Sequence, residues 1–180
     1  MLYAYCFEQV GVVVGDLYFA DLNPQPGQEG AERGVRLEVR LVERPPLNGS
    51  VYSAQPITVA APIWRADLLE RVDGPYGSFD RTHHHAEFKG WEPGFRVFDE
   101  ALSADPIAWV GEQLSDLDML VARSSVDPSE IHPDDAAQLR AAVPEILDTV
   151  RHLLQRVHIG ELAQSPKEPA TAGVVRNGWL

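Results

Sequence analysis

The chain is predicted to be an α+β protein, an antiparallel sheet from the N-terminal half with C-terminal amphipathic helices packed on one of its faces. Three observations predict this. Residues 35–44 alternate, with Val35, Leu37, Val39 and Leu41 on one side and Arg36, Glu38, Arg40 and Arg44 on the other, the period-two pattern of a half-buried strand. Ile107, Val110, Leu114, Leu117 and Val121 fall on one helical stripe, and Leu139, Val143, Ile146, Val150, Leu153 and Val157 recur by four and three, as a packed helix face does. The strand signals come before about residue 100 and the helical ones after it, and strands followed by helices define the α+β class.

Taken in order, stretches 2–10 and 12–22 are rich in Val, Tyr and Phe, with Gly11 and Gly15 read as bulges or turns that interrupt them. Residues 23–34, with two prolines and three glycines, form a loop. After the strand at 35–44, Pro45-Pro46-Leu47-Asn48-Gly49-Ser50 is a turn. A second extended run covers 51–72, where Pro56 and Pro62 confine parts of it to a sheet edge or an irregular crossing. Asp105-Pro106 supplies a capping residue followed by proline at the first helical position. The last helix starts near Pro133-Asp134-Asp135, and Pro144 inside it predicts a kink or a break into two helices, since an interior proline costs about 3 kcal/mol. Residues 1–163 are expected to be one domain, and 164–180, small and polar with Pro166 and Pro169, a flexible tail.

Composition narrows the function classes. The chain of 180 residues is 44% apolar and 23% charged, an ordinary balance for a globular protein. A single cysteine, Cys6, excludes an internal disulfide and fits a reducing compartment. The start lacks the features of a signal peptide, and no apolar run is long enough to span a bilayer. A cytoplasmic protein without a membrane partner is therefore expected. The net charge of −12 disfavours nucleic acid as a partner overall. That charge is uneven: residues 1–32 carry −5, 97–180 carry −8, and 33–96 carry nine Arg/Lys against eight Asp/Glu, which leaves room for a local anion site. No Walker loop, dinucleotide fingerprint, HExxH or GxSxG occurs.

The chemistry-bearing candidates lie around His83-His84-His85. Runs 64–72 and 78–87 flank Asp73-Gly74-Pro75-Tyr76-Gly77, a strong turn signal that predicts a hairpin. Pairing across that turn sets Asp67 opposite His83, Arg65 opposite His85 and Arg71 opposite Phe79. Trp64, Ala66 and Leu68 then face the core, while Arg65, Asp67, Arg71, Arg81, His83 and His85 share the other face, joined by Arg36 and Arg40 from the neighbouring strand. His84 points to the opposite side. A carboxylate beside an imidazole fixes its tautomer, and guanidinium groups suit phosphate or carboxylate. Asp67, His83, His85 and Arg81 are thus candidate catalytic residues of a metal-free phosphodiester-cleaving site, with Arg65, Arg71 and Arg36 as substrate-binding residues. The same geometry makes His83 and His85 candidate metal ligands, with Asp67, Asp80 or Glu87 as a third. The plain alternative is a solvated sheet face laced with cross-strand ion pairs.

Gly77 followed by His83 and His85 resembles the opening of the first cupin motif, but Lys89 and Gly90 stand where that family needs a glutamate. Phe95-Arg96-Val97 after Gly94 also lacks the histidine of the second motif. Over 64–120, the order strand, turn, histidine-rich segment, polar crossing and amphipathic helix resembles the small TumE-type toxins of bacterial toxin–antitoxin systems, with His83-His84 standing where those proteins carry a histidine pair. The chain is also similar in make-up to small domain-of-unknown-function families of high-GC bacteria. The TumE-type resemblance implies a bacterial, RNase-like activity.

Three functional expectations follow. The first is a non-catalytic interaction or accessory domain that uses the 139–157 stripe for a partner or a second copy. The second is a phosphodiester-cleaving enzyme acting through the His/Asp/Arg face. The third is a metal- or small-ligand-binding domain centred on His83 and His85. No cofactor is demanded by the sequence, and a divalent metal is compatible with it.

Overall fold

A computed structural model describes residues 1–165. Five strands, β1 (Leu2–Cys6), β2 (Val10–Ala20), β3 (Ala31–Glu43), β4 (Thr58–Arg71) and β5 (His83–His85), form an antiparallel meander in chain order. A two-stranded ribbon of β6 (Phe88–Lys89) and β7 (Glu92–Pro93) follows, then helices α1 (Glu100–Ala104), α2 (Pro106–Leu114), α3 (Leu117–Arg123) and α4 (Asp135–His158). The predicted α+β class is the one observed.

Alternation builds the core. Val10, Val12 and Val14 of β2, Val35, Leu37 and Val39 of β3, and Trp64, Ala66 and Leu68 of β4 bury one sheet face against Leu102, Val110, Leu114, Leu120 and the α4 stripe. All six stripe residues, Leu139 to Val157, are buried in the chain's own fold, where α4 packs on β2, β3 and α2. The stripe is therefore internal, packed on the sheet and the preceding helix as expected, and none of it is left over as the share expected to serve a partner or second copy. Tyr5 of β1 reaches Thr149 of α4 at 2.6 Å between hydroxyls. Buried Asp135 accepts from the backbone N–H of Glu8 (2.9 Å), Gln9 (3.2 Å) and His132 (3.0 Å), tying the β1–β2 turn to the start of α4. Gly111 lets α2 approach α4, since a Cβ there would lie 2.9 Å from Leu147 Cδ1.

Local differences from the sequence reading have physical causes. The first turn falls at Phe7-Glu8-Gln9, and both Gly11 and Gly15 lie inside β2. Gly11 is required by packing, because a Cβ would meet Val42 Cγ2 at 2.9 Å and Tyr5 O at 3.0 Å. β4 begins at Thr58, so 51–57 is not strand, and Pro62 sits where the β3–β4 register shifts. Asp80 captures the Arg71 backbone N–H (3.1 Å) and Nε (2.9 Å), and Phe79 takes a left-handed φ of 48°. Hairpin pairing therefore stops before Arg71 and Phe79 can oppose one another, and β5 has only three residues.

The 107–121 stripe is split between α2 and α3, where Asp116 caps a new helix through Met119 N–H at 3.0 Å. α4 runs unbroken through Pro144, so of the expected kink or break the break does not occur. Pro144 is exposed, so the carbonyl that loses its donor can be solvated. The tail predicted at 164–180 lies, from residue 166 onward, outside the described residues.

Candidate metal centre

Strand β5 places side chains on alternate faces, and the β4–β5 register pairs Asp67 with His83, Ala66 with His84, and Arg65 with His85. The β3–β4 register adds Arg36 beside Asp67 and Glu38 beside Arg65. Five residues singled out in the sequence (Asp67, His83, His85, Arg65 and Arg36) thus share one patch of the sheet face opposite the helices.

That patch is enclosed, which the reading as a solvated face did not anticipate. Asp67, His83 and His85 are 0%, 1% and 3% exposed. The cover comes from the segment after β5. Phe88 lies 6.4 Å from the His85 ring, Phe98 5.5 Å from the His83 ring, and Arg40 sits under Trp91 at 4.9 Å. A backbone bridge between His84 and Val97 pins this segment to β5 (3.0 and 2.9 Å).

Hydrogen bonds fix the tautomer of both imidazoles. His83 Nδ1 lies 2.8 Å from the Arg81 carbonyl and His85 Nδ1 lies 2.8 Å from the Gly94 carbonyl. A carbonyl only accepts, so both Nδ1 atoms carry hydrogen and donate, and in its neutral form each ring has its lone pair on Nε2. Both Nε2 atoms point at one oxygen, Asp67 Oδ2, at 3.3 Å for His83 and 3.6 Å for His85. Asp67 Oδ1 accepts from Arg36 Nε at 2.6 Å. Asp67 Oδ2 is buried with no aligned hydrogen-bond donor. Arg65 Nε is 3.0 Å from it but its N–H points elsewhere, so Arg65 Nε is also a buried atom without a hydrogen bond. The Arg65 fork meanwhile donates to His85 Nε2 at 2.8 Å.

Charge states follow from this arrangement. Burial alone would raise the Asp67 pKa. It is outweighed by the neighbouring cations, Arg36 first and Arg65 after it, so the carboxyl is held well below its ordinary range. Burial lowers the His85 pKa, and Arg65 adds to that against the pull of Asp67, so His85 is the neutral acceptor of the Arg65 N–H.

These distances leave room for an ion between the three residues. A charge-assisted N–H···O bond closes to about 2.7–2.9 Å. A tetrahedral ion with ligands at about 2.0–2.1 Å instead separates them by about 3.3–3.4 Å. The 3.3 Å of His83 matches the second spacing, the 3.6 Å of His85 is wider than it, and one donor atom from each of the three residues lies within 4.8 Å of the others. Backbone carbonyls holding both Nδ1–H groups are the outer support that ligand histidines ordinarily have. Two nitrogens and one carboxylate oxygen suit zinc, iron(II) or cobalt(II), and fit magnesium or calcium poorly.

The remaining candidates sit elsewhere. Arg81 offers only its carbonyl, while its guanidinium donates to the carbonyls of Gly27 and Glu29. Arg71 is held by Asp80, as is the Ser78 hydroxyl, so neither Arg71 nor Asp80 reaches the patch. Glu38 was not assigned a role from the sequence, although alternation puts it on this face. It holds Arg40 at 2.7 Å and stands 4.0 Å from Arg65. The Gly94 carbonyl carries no sequence signal at all. Set against known protein families, curated proteins and solved structures, the chain matches none.

Proposed function

We propose that the chain is a metal-binding protein whose centre is a single divalent transition ion held by Asp67 Oδ2, His83 Nε2 and His85 Nε2. One observation carries this reading. A fully buried carboxylate oxygen lacks a hydrogen-bond donor at the point where two imidazole lone pairs converge. Arg65 meets two of these three electron-rich atoms, His85 Nε2 at 2.8 Å and Asp67 Oδ2 at 3.0 Å, and an ion between all three would take its place. Such an ion supplies a Lewis acid with open coordination positions.

The other two readings have less behind them. The interaction-domain reading leaned on the 139–157 stripe, which is core. Phosphodiester cleavage by His83 and His85 asks a chain as bulky as RNA to reach rings that are 1% and 3% exposed, whereas an ion or a small anion needs only a narrow path.

The test is metal content and affinity. Purified protein incubated with Zn²⁺ and passed through a desalting column should retain one ion per chain, and Asp67→Ala or a paired His83→Ala, His85→Ala variant should retain none. A folded wild type that retains no Zn²⁺, Fe²⁺ or Co²⁺ would sink the proposal.

A further inference from the structure

We infer that this ion is bound together with an oxyanion, the terminal carboxylate or phosphate of a small molecule, and that Arg65 is the residue that holds it. The inference rests on the metal reading and deepens it by naming the ligand class.

Charge is the first ground. Arg36, Arg40 and Arg65 face Glu38 and Asp67 in this enclosed patch, where the side chains in its ion pairs are at most 16% exposed. With neutral histidines the five charges already sum to +1, and a divalent ion would bring the patch to +3. Unbalanced charge of that size is not sustained away from water without a counter-ion. Three protein ligands leave at least one coordination position free for it.

Arg65 is the second ground. Its terminal nitrogen lies 2.8 Å from His85 Nε2, the lone pair the ion needs, so the guanidinium must move when the ion enters. Glu38 Oε1, 4.0 Å away, is a partner it can turn toward without leaving the patch. Arg65 Nε also holds a buried N–H without an acceptor. A guanidinium next to the ion with donors to spare is matched to the two oxygens of a carboxylate or the terminal oxygens of a phosphate. Arg36 stays on the carboxylate, its Nε 2.6 Å from Asp67 Oδ1, and so holds Asp67 in place while Arg65 moves.

The experiment titrates the full chain with Co²⁺, read by its visible absorption, in buffer alone, with inorganic phosphate and with acetate. In wild type, at least one anion should tighten Co²⁺ binding by about tenfold or more and change the spectrum. An effect of phosphate alone marks the ligand as a phosphate, and of acetate alone as a carboxylate. Arg65→Gln should bind Co²⁺ more tightly than wild type in plain buffer, having lost the competing cation, and should lose the anion effect. Equal Co²⁺ affinity with and without both anions in wild type, a comparison that needs no variant to fold, overturns the oxyanion inference and leaves the metal reading standing. An anion effect that persists undiminished in Arg65→Gln overturns the role of Arg65. Absence of Co²⁺ binding in every buffer overturns the metal reading itself, and this inference with it.

Discussion

Strand β5 is three consecutive histidines with two different fates. His84 is pressed among Trp64 and Trp109, with ring centroids 6.4 and 5.0 Å away, on the face that packs against the helices. His83 and His85 turn into a patch made of Asp67, Arg65, Arg36 and Glu38 on the other face. Both faces are buried, but burial means different things on them. On the helix side it removes apolar surface from water, which is favourable without regard to direction. On the opposite side it strips water from charges, which is tolerable only where each charge meets a partner in a defined place. One face is therefore held by volume, the other by geometry. Among the described residues five buried side-chain atoms have no hydrogen-bond partner, Glu32 Oε2, Asp67 Oδ2, Arg65 Nε, Arg81 Nε and His84 Nδ1, and two of them, Asp67 Oδ2 and Arg65 Nε, meet in the proposed metal centre.

The comparison is broken most severely from the apolar side. Val150 is fully buried between α4 and the sheet. Val150→Asp puts a charge where no partner exists and should cost most of the stability of a domain this size, about 4 kcal/mol or more. Urea unfolding measures it. A folded monomer of near-normal stability would mean that α4 is held to the sheet far more loosely than its burial indicates.

From the polar side, Asp67→Ala leaves Arg36 and Arg65 without their shared counter-charge at a fully buried position. Removing one partner of a buried pair costs about 3–5 kcal/mol, and the same unfolding experiment applies. A loss below about 1 kcal/mol would show that water reaches this face, and the contrast between the two faces would collapse.

Zinc should sharpen the comparison without any mutation. An ion present at about 100 times its dissociation constant adds about 2.7 kcal/mol to the folded state, or about 5–10 °C in melting temperature. A chelator should reverse the rise. Val110→Ala, a change confined to the apolar face, should lower the melting temperature in both states and keep the zinc increment. If zinc and chelator leave the melting temperature unchanged, the polar face is a closed ion-pair network and nothing more.

Much of this was legible in the sequence, for a specific reason. Alternation at Val35 to Arg44, and the turn at Asp73-Gly74-Pro75-Tyr76-Gly77, were enough to pair Asp67 with His83 and Arg65 with His85, because a strand's side-chain period is two and a slip of one residue would bury charges against Trp64 and Leu68. What alternation does not carry is the fate of the second face. Whether Arg36, Glu38 and Asp67 meet water depends on the segment holding Phe88, Trp91, Gly94 and Phe98, which has no periodicity and docks through backbone groups such as the Gly94 and Val97 carbonyls. The length of the pairing was hidden for a similar reason. Asp80 ends it by taking the Arg71 N–H, and a side chain competing for a backbone donor leaves no pattern in hydrophobicity. The two helices read as one stripe at 107–121 were separated by the same kind of local competition, through Asp116.

The smallest expected effect isolates His84. Burial lowers its pKa, Asp99 pulls the other way, and His85, Arg123 and His83 add to the lowering. A histidine whose folded pKa lies below its unfolded value of about 6.5 resists a proton that the unfolded chain accepts. Stability is therefore lost as pH falls from about 6.5 toward the folded pKa and is fully present above that window. His85 has the same sign. Asp67 acts lower down, because its depressed pKa contributes stability that is present above about 3.9 and disappears only as pH falls through the folded value. Between pH 7 and pH 5 the slope is thus set by histidines. His84→Phe keeps an aromatic ring beside Trp109, removes the orphaned Nδ1, and should lose less stability than wild type over that interval while retaining the same zinc increment. Measured by urea unfolding at both pH values in the presence of a chelator, equal slopes for the two proteins would mean that His84 takes its proton in the folded state as readily as in the unfolded one, and that the apolar face is open to water at β5.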